Sequence, residues 1–202
     1  MNTLFDHEPL SLPDADISYH PNFLDKALAN TYFKKLKEEV PWQEDDITVF
    51  GKTYAQPRLT ALYGNNGLEY RYSNIVMRPH PFSGTLREIK LKVEALAKVP
   101  FTTCLLNLYR DGKDSNGWHA DNEKELGQNP VIASVSLGAA RYFHLKHNHI
   151  KEERHKILLQ HGSLLLMQGP TQHHWKHQIP KTAKPIGERI NLTFRVIREG
   201  QS

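Results

Sequence analysis

Seven short segments in the second half of the chain have the length and composition of β-strands. Turn-forming residues separate them at nearly even intervals. We predict these strands at 102–110, 131–137, 141–146, 155–160, 163–168, 174–178 and 189–197. Such spacing favours a sandwich or a closed barrel over βαβ units, because parallel strands need a helix between them. The pattern therefore predicts a mainly β fold.

The first hundred residues follow a different pattern. Apolar residues recur at nearly helical spacing over 22–40 and 85–98, and a proline follows each stretch. Residues 47–54 are expected to form a hairpin around Gly51. Residues 1–20 are polar and aperiodic, which indicates an extended arm. We predict three parts, namely an arm at 1–20, helices and hairpins at 21–100 and a β-rich core at 101–198.

Length and composition fit one globular domain without a membrane anchor. The 202 residues are 39% hydrophobic and 24% charged, and no apolar run approaches the roughly 18 residues that a bilayer crossing needs. The N-terminus lacks the basic and apolar regions of a signal peptide, and the single Cys104 excludes an internal disulfide. We expect a monomeric intracellular protein, cytoplasmic or, in a eukaryote, nuclear.

Positive charge is concentrated near the C-terminal end. The net charge is +4, and between Arg141 and Arg198 the many lysines and arginines are opposed only by Glu152, Glu153 and Glu188. Such a distribution suits a surface that binds a polyanion. A solvated basic surface explains the charge equally well.

The last predicted strand alternates strictly between apolar and polar residues. Ile190, Leu192, Phe194 and Val196 alternate with Arg189, Asn191, Thr193 and Arg195. A period of two places the polar set on one face of the strand. Because arginines on one face bind carboxylates through paired N–H groups, this face is expected to line a pocket for a small acid.

A possible metal site precedes that strand. His119 and Asp121 are two residues apart on extended backbone and can reach one ion, although such a pair alone is a weak signal. His177 offers a third ligand. Two histidines and one carboxylate form the facial triad of non-haem Fe(II) oxygenases, which leaves positions open for a cosubstrate and dioxygen. The strand beginning at Arg189 could then hold the cosubstrate's carboxylate.

Other histidines leave alternatives open. His173 and His177 would suit zinc if they lay one turn apart on a helix, but flanking prolines and the alternation of Trp175 with His177 favour a strand. A further histidine-rich segment spans 144–155, and we interpret it as a polar loop rather than a metal site.

The set and order of these motifs resemble the AlkB family of Fe(II)/2-oxoglutarate-dependent dioxygenases, over roughly residues 45–198. The chain is most similar to the branch that repairs alkylated duplex DNA. The motifs that carry the resemblance are His119-x-Asp121, His177 in His-Trp-x-His, Asn107-x-Tyr109, and Arg189-x-Asn191-Leu-Thr-Phe-Arg195.

The resemblance implies a fold and a set of cofactor ligands. The fold would be a double-stranded β-helix, or jelly-roll, with an N-terminal nucleotide-recognition lid. His119, Asp121 and His177 would bind Fe(II) and act as the catalytic centre. The residues expected to hold 2-oxoglutarate are Asn107, Tyr109, Arg189, Asn191, Thr193 and Arg195, with the two arginines at its two ends.

Substrate contacts are implied mainly in the first half. Phe50 at the tip of the predicted hairpin would be either a core residue or, as in the family, a finger that fills the gap left by an extruded base. Tyr70 and Tyr72 would frame that base, and Glu123 would lie near its exocyclic edge. The remaining expected substrate contacts are Gly51, Lys52, Arg58 and Asn122.

The activity implied is oxidative demethylation of 1-methyladenine and 3-methylcytosine in DNA, which consumes O2 and 2-oxoglutarate and releases succinate, CO2 and formaldehyde. The expected partner is alkylated DNA, double-stranded or, alternatively, single-stranded. The basic segment 146–156, with Lys181 and Lys184, would contact phosphates. Two alternatives remain, namely a dioxygenase of the same fold acting on RNA or a non-nucleic substrate, and a binding module without metal.

Overall fold

The structure, a computed structural model, describes residues 8–44, 46–49, 52–65, 70–72, 75–82 and 84–197. Three α-helices lie in this part of the chain, namely α1 (Lys26–Glu39), α2 (Gly84–Ala97) and α3 (Thr171–His174), and one short 3-10 helix spans Lys124–Leu126. Its strands before residue 100 are β1 (Glu8–Leu10), β2 (Asp16–His20), β3 (Asp46–Val49), β4 (Lys52–Ala55), β5 (Leu59–Gly64), β6 (Tyr70–Tyr72) and β7 (Ile75–Met77). The later strands are β8 (Thr103–Tyr109), β9 (Asn116–His119), β10 (Ile132–Gly138), β11 (Arg141–His147), β12 (Arg154–Leu159), β13 (Ser163–Gln168), β14 (Trp175–Ile179) and β15 (Arg189–Arg195).

Two antiparallel sheets form the centre of the molecule. The major sheet has the strand order β1-β2-β13-β10-β15-β8-β5, and the minor sheet has the order β12-β11-β14-β9. Apolar residues from the facing sides of both sheets fill the space between them, among them Leu105, Phe143 and Trp175. From β8 to β15 the chain alternates between the two sheets, except at the β11–β12 hairpin, which confirms the expected jelly-roll core.

The two long helices cover the other side of the major sheet. Residues Tyr32 and Leu36 of α1 and Ile89 and Val93 of α2 pack against apolar side chains of the sheet such as Leu192. The helix α1 begins at Lys26, later than predicted, because the Asp25 side chain accepts a hydrogen bond from the backbone N–H of Leu28 at 2.8 Å and caps the first turn. Both predicted helices are confirmed.

In the described part of the N-terminal segment, residues 8–20, β1 and β2 are strands of the major sheet. Strand β2 pairs with β13 along its whole length, and Ile17 and Tyr19 are buried between the sheets. The Tyr19 hydroxyl donates to the carbonyl of Leu158 at 2.8 Å. Only five residues long, this strand shows too few alternations to stand out in the sequence. The division into arm, lid and core remains a prediction, since β5 also joins the major sheet by pairing with β8.

Of the described helices, none combines the length and the apolar character that crossing a bilayer requires.

Gly138, where β10 ends, supports a testable prediction about stability. Its φ of +88° is unfavourable for other residues, and a Cβ there would collide with the Glu188 carbonyl and the Phe33 ring. We expect Gly138→Ala to lower the free energy of unfolding by about 1–3 kcal/mol or more, measured by urea titration. Gly187→Ala is the control, because nothing lies within 4 Å of a Cβ at that position. Equal unfolding midpoints for the two variants would contradict the assigned strain.

Candidate active site

Three potential metal ligands meet between the two sheets. His119 ends the edge strand β9, Asp121 follows it, and His177 lies on β14 directly opposite His119 in the antiparallel pairing. One ligand atom of each residue lies within 4.8 Å of those of the other two. The imidazole centroids of the two histidines are 4.2 Å apart. Residues far apart in sequence are thus brought together as the spacing predicted.

Local contacts orient the ligand atoms. Nδ1 of His119 lies 2.7 Å from the carbonyl oxygen of Gly117, which can only accept, so Nδ1 carries the proton and Nε2 keeps its lone pair. The Phe143 ring stacks on His177 with a centroid distance of 5.0 Å. Nε2 of His177 lies 3.9 Å from Oδ2 of Asp121. These contacts direct two imidazole nitrogens and a carboxylate oxygen toward one point.

The protonation states suit metal binding. Burial lowers the pKa of His119. Burial and the neighbouring His119 ring lower the pKa of His177 to about 3. Burial by itself would raise the pKa of Asp121, but the Arg195 guanidinium and the two histidines outweigh it and lower that pKa to about 2. Neutral imidazoles and an ionised carboxylate are the forms that coordinate a metal, so the donor set fits Fe(II).

Asp121 is held by two residues from other elements. Nη2 of Arg195 donates to its Oδ1 at 2.6 Å, and both side chains are almost completely buried. The backbone N–H of Asp121 donates to the Gln172 side-chain carbonyl at 2.9 Å. Such outer contacts fix the orientation of a ligating carboxylate.

The polar face of β15 lines the same cavity, while Ile190, Leu192 and Phe194 point into the core beneath the helices. Asn191 donates from Nδ2 to the Ser134 hydroxyl at 2.7 Å and accepts from Thr193 at 3.0 Å. Further cavity-lining side chains are Leu105, Asn107, Tyr109, Met167, Arg189 and Arg195. The strand therefore contributes both a core face and a cavity face.

Arg189 fits an anionic ligand. Its side chain is fully buried, with Nη2 donating to the Ser136 hydroxyl at 2.9 Å and the guanidinium 5.2 Å from the Tyr109 ring centroid. Burial lowers the pKa of Arg189 to about 10, so the group stays charged near neutral pH. Nε and Nη1 have no hydrogen-bond acceptor among the described residues. A buried cation with unsatisfied donors is stabilised by an entering carboxylate, so the cavity fits 2-oxoglutarate.

Asn107 lies at the wall of the cavity, and Arg58 lies behind it. The Arg58 Nε donates to Oδ1 of Asn107 at 2.7 Å, and Nη1 donates to the carbonyl of Ser115 at 3.1 Å. Only 4% of Arg58 is exposed. Arg58 thus orients Asn107, and its expected contact with the substrate stays a prediction.

Arg141, Phe143 and Gln172 help to build the site but were not predicted. Arg141 is buried, donates to the carbonyls of Asp114 and Pro180, and lies 5.7 Å from the Tyr109 ring centroid. Phe143 stacks on His177, and Gln172 holds Asp121. Alternation along β11 could have placed Arg141 and Phe143 on one inner face, whereas nothing in the sequence marks Gln172.

For most of the predicted substrate residues, the structure does not describe the side chain. Phe50 and Gly51 lie outside the described residues, as do the side chains of Lys52, Tyr70 and Tyr72. Strands β3 and β4 pair as a hairpin with Val49 opposite Lys52, as predicted. Beyond the metal ligands, the side chain of Asn122 is exposed and that of Glu123 is half-buried.

A second histidine group joins the N-terminal segment to the minor sheet. Nδ1 of His147 accepts hydrogen bonds from the backbone N–H groups of His149 and Ile150, so the proton of the neutral ring is on Nε2. That Nε2 lies 3.3 Å from Oδ2 of Asp14, and His174 lies nearby. With Nδ1 occupied by two backbone N–H groups, His147 faces Asp14 through Nε2 as a close charge contact without hydrogen-bond geometry.

The comparison with protein families agrees with this geometry. The family described as "2OG-Fe(II) oxygenase superfamily" matches residues 16–195. This range contains the jelly-roll, the three candidate ligands and the arginine-bearing strand, so the chain is a member of this superfamily.

Curated relatives identify the family within this superfamily. "Alpha-ketoglutarate-dependent dioxygenase alkB homolog 3" of Homo sapiens is 41% identical over 90% of this chain and 66% of its own length. "DNA oxidative demethylase ALKBH2" of Homo sapiens is 39% identical over 90% of this chain and 73% of its own length. The chain spans just under two thirds of the first of these relatives. It belongs to the AlkB family of the 2OG-Fe(II) oxygenase superfamily.

Solved structures share the fold at low sequence identity. "The structure of OsALKBH1" matches with a TM-score of 0.66 and 16% identity, covering 93% of this chain and all of that one. A prolyl hydroxylase from Trichoplax adhaerens matches with a TM-score of 0.61 and 14% identity, over 90% of this chain and 83% of its own. At this level of identity the similarity concerns the jelly-roll alone.

Proposed function

We propose that the protein repairs DNA by oxidative demethylation of N-alkylated bases such as 1-methyladenine and 3-methylcytosine. The observation that carries the proposal is the junction, in one cavity, of the three candidate metal ligands with a buried arginine, Arg189, whose Nε and Nη1 lack hydrogen-bond acceptors among the described residues. A relative named for DNA oxidative demethylation supports the substrate class. We expect the protein to act as a monomer.

The residues of the cavity divide into two roles. His119, Asp121 and His177 would hold Fe(II), while Asn107, Tyr109 and the inward residues of β15 would hold 2-oxoglutarate. When bound, these two groups supply the oxidising power, with O2 and 2-oxoglutarate converted to succinate and CO2 and the methyl group leaving as formaldehyde. The protein's part is to keep Asp121 ionised through Arg195, to orient His119 through Gly117, and to exclude water from the cavity.

Arg189 and Arg195 have different partners, which suggests separate roles. Arg195 contacts Asp121 and so lies at the metal end of the cavity, whereas Arg189 lies six residues away along β15 beside Tyr109. At about 3.4 Å per residue, their backbones are roughly 20 Å apart. We propose that Arg189 binds the distal carboxylate and that Arg195 acts near the metal-binding end.

Contacts to the base would come from outside the cavity. Glu123 follows the ligand Asp121 by two residues, and a carboxylate there would favour the cationic methylated bases over neutral ones. Phe50, Gly51, Lys52, Tyr70, Tyr72 and Asn122 stay as expected substrate contacts.

The direct test incubates the protein with Fe(II), 2-oxoglutarate and a DNA duplex carrying one 1-methyladenine. Release of formaldehyde and succinate in equal amounts is expected. Matching single-stranded DNA and RNA substrates identify the preferred form. Formaldehyde from RNA alone, or from none of the three, would contradict the proposal.

Phe50→Ala tests the finger role. If Phe50 fills the gap left by the extruded base, its loss should reduce kcat/KM on duplex DNA by about tenfold, because the alanine side chain cannot stack on the neighbouring bases, and should affect single-stranded DNA much less. Phe82→Ala, at another aromatic residue before the core, serves as control. Equal losses on duplex and single strand would exclude the finger.

A further inference from the structure

One side of the minor sheet takes no part in the cavity. Along β11 and β14, buried residues such as Phe143 and His177 point inward, and intervening residues such as Tyr142 and Lys176 point to the outside. Strand β12 likewise exposes alternate residues, and β9 exposes Trp118. The residues of interest on this outer sheet face are Trp118, Tyr142, Lys146, Arg154, Lys156 and Lys176.

Two aromatic rings on the outer sheet face are open to solvent, and each has a lysine beside it. Trp118 is 38% exposed and Tyr142 45% exposed. Nζ of Lys146 lies 4.4 Å from the Trp118 ring centroid, and Nζ of Lys156 lies 5.3 Å from that of Tyr142. Such a pair presents a flat apolar surface next to a cation, which is the combination that a nucleotide requires for its base and its phosphate.

The charges of the outer sheet face have a single sign. Lys146 lies opposite Arg154 on one neighbouring strand and opposite Lys176 on the other. The four described strands of the minor sheet contain no acidic residue, and the nearby Glu153 pairs with His155. Cations placed opposite one another across strands repel, and an anionic partner relieves that repulsion.

The outer sheet face begins at the metal site. Strand β9 is the edge of the minor sheet, with His119 directed into the cavity and Trp118, the preceding residue, directed outward. Their Cα atoms are about 3.8 Å apart. A nucleic-acid strand that places one base beside His119 can therefore lay an adjoining nucleotide on Trp118.

We propose that the outer sheet face binds unpaired nucleotides that flank the reacting base of a single nucleic-acid strand. Trp118 and Tyr142 stack on bases, and Lys146, Arg154 and Lys176 contact phosphates. The bases must be unpaired, because in a duplex their flat faces are covered by neighbouring base pairs. The inference rests on the proposed function for the identity of the reacting base, whereas strand binding itself needs neither metal nor 2-oxoglutarate.

Binding is tested with a labelled, unmodified single-stranded DNA of about 15 nucleotides, by fluorescence anisotropy in the absence of metal. Trp118→Ala is expected to weaken binding about tenfold, and Tyr142→Ala by a similar factor, since each removes a stacking surface. Lys146→Ala should lower the slope of log affinity against log salt by about 0.7. Strand binding should also quench tryptophan fluorescence in the native protein and lose most of that quenching in Trp118→Phe, because Trp175 is only 1% exposed and Trp42 packs against the apolar cluster beneath the helices.

Controls lie on α2, on the far side of the major sheet. Leu91→Ala and Lys92→Ala remove an exposed apolar and an exposed basic side chain there and should leave binding and its salt dependence unchanged. Native affinity in both Trp118→Ala and Tyr142→Ala would overturn the proposal. So would equal dependence on these rings for a fully paired duplex, or binding of phosphatidylserine vesicles in place of the oligonucleotide.

The result of the strand-binding experiment can be distinguished from the result of the demethylase assay. A protein that binds the strand through Trp118 but releases no formaldehyde would retain the outer sheet face and lose the demethylase assignment. Formaldehyde release with unaltered binding in the ring variants would do the reverse.

Discussion

His177→Ala should abolish turnover and metal binding together. His177 is buried on β14 opposite His119, and no other described histidine or carboxylate lies in this ligand group. Loss of an outer-shell contact lowers metal affinity about 10- to 100-fold, so loss of a ligand should exceed about 100-fold. Isothermal titration with Mn(II) measures the affinity, and succinate release measures turnover.

His173→Ala is the matched control for this experiment. It removes an exposed histidine four residues away whose described contact is with the backbone N–H of Asn129. Metal affinity and turnover should stay native. Metal binding retained in His177→Ala but lost in His173→Ala would transfer the ligand role to the helical turn of α3.

Arg195→Met should destabilise the metal-free protein by about 3–5 kcal/mol. The substitution keeps an unbranched apolar side chain but leaves Asp121, at 2% exposure, without the guanidinium that lies 2.6 Å from it. Removing one partner of a buried ion pair leaves an uncompensated charge. Urea unfolding measures the loss, and added Mn(II) should restore more stability to the variant than to the native protein, because a cation near Asp121 replaces the missing charge.

Lys37→Ala serves as the control for charge removal. Its pairing with Glu188 at 2.5 Å lies at the surface, where such a pair contributes only about 0–1 kcal/mol. If Arg195→Met lost no more stability than Lys37→Ala, the Asp121–Arg195 contact would contribute no more to the free energy of unfolding than a surface ion pair.

Much of the fold was predictable because single helices and strands leave a regular spacing of apolar residues in the sequence. Helical spacing that includes Leu36 and Val93 predicted the two long helices. Alternation that includes Leu192 and Phe194 predicted the last strand, and all four residues are buried in the core. Strand β2 was missed, because a five-residue strand offers little alternation and its partner β13 lies about 150 residues away.

The candidate site was predictable to the extent that chemistry restricts residue type. A triad and an arginine pair are rare combinations, and both lie in the cavity. Gln172 and Arg141 were missed, because amide and guanidinium groups that hold a neighbour in place leave no pattern along the chain. The bond from Arg58 to Asn107 was not predicted either, because the pairing of β5 with β8 brings these residues together, while the substrate role of Arg58 stays a prediction.

By itself the sequence predicted the fold class, the candidate metal ligands and the residues available to an acid, since these depend on residue type and on periods of two or 3.6 along the chain. The tertiary structure decided which arginine meets Asp121, which one keeps unpaired donors, and which side of the minor sheet faces solvent. Those features depend on which strands become neighbours. Burial and electrostatic interaction act through distances between side chains, and the order of residues along the chain does not contain those distances.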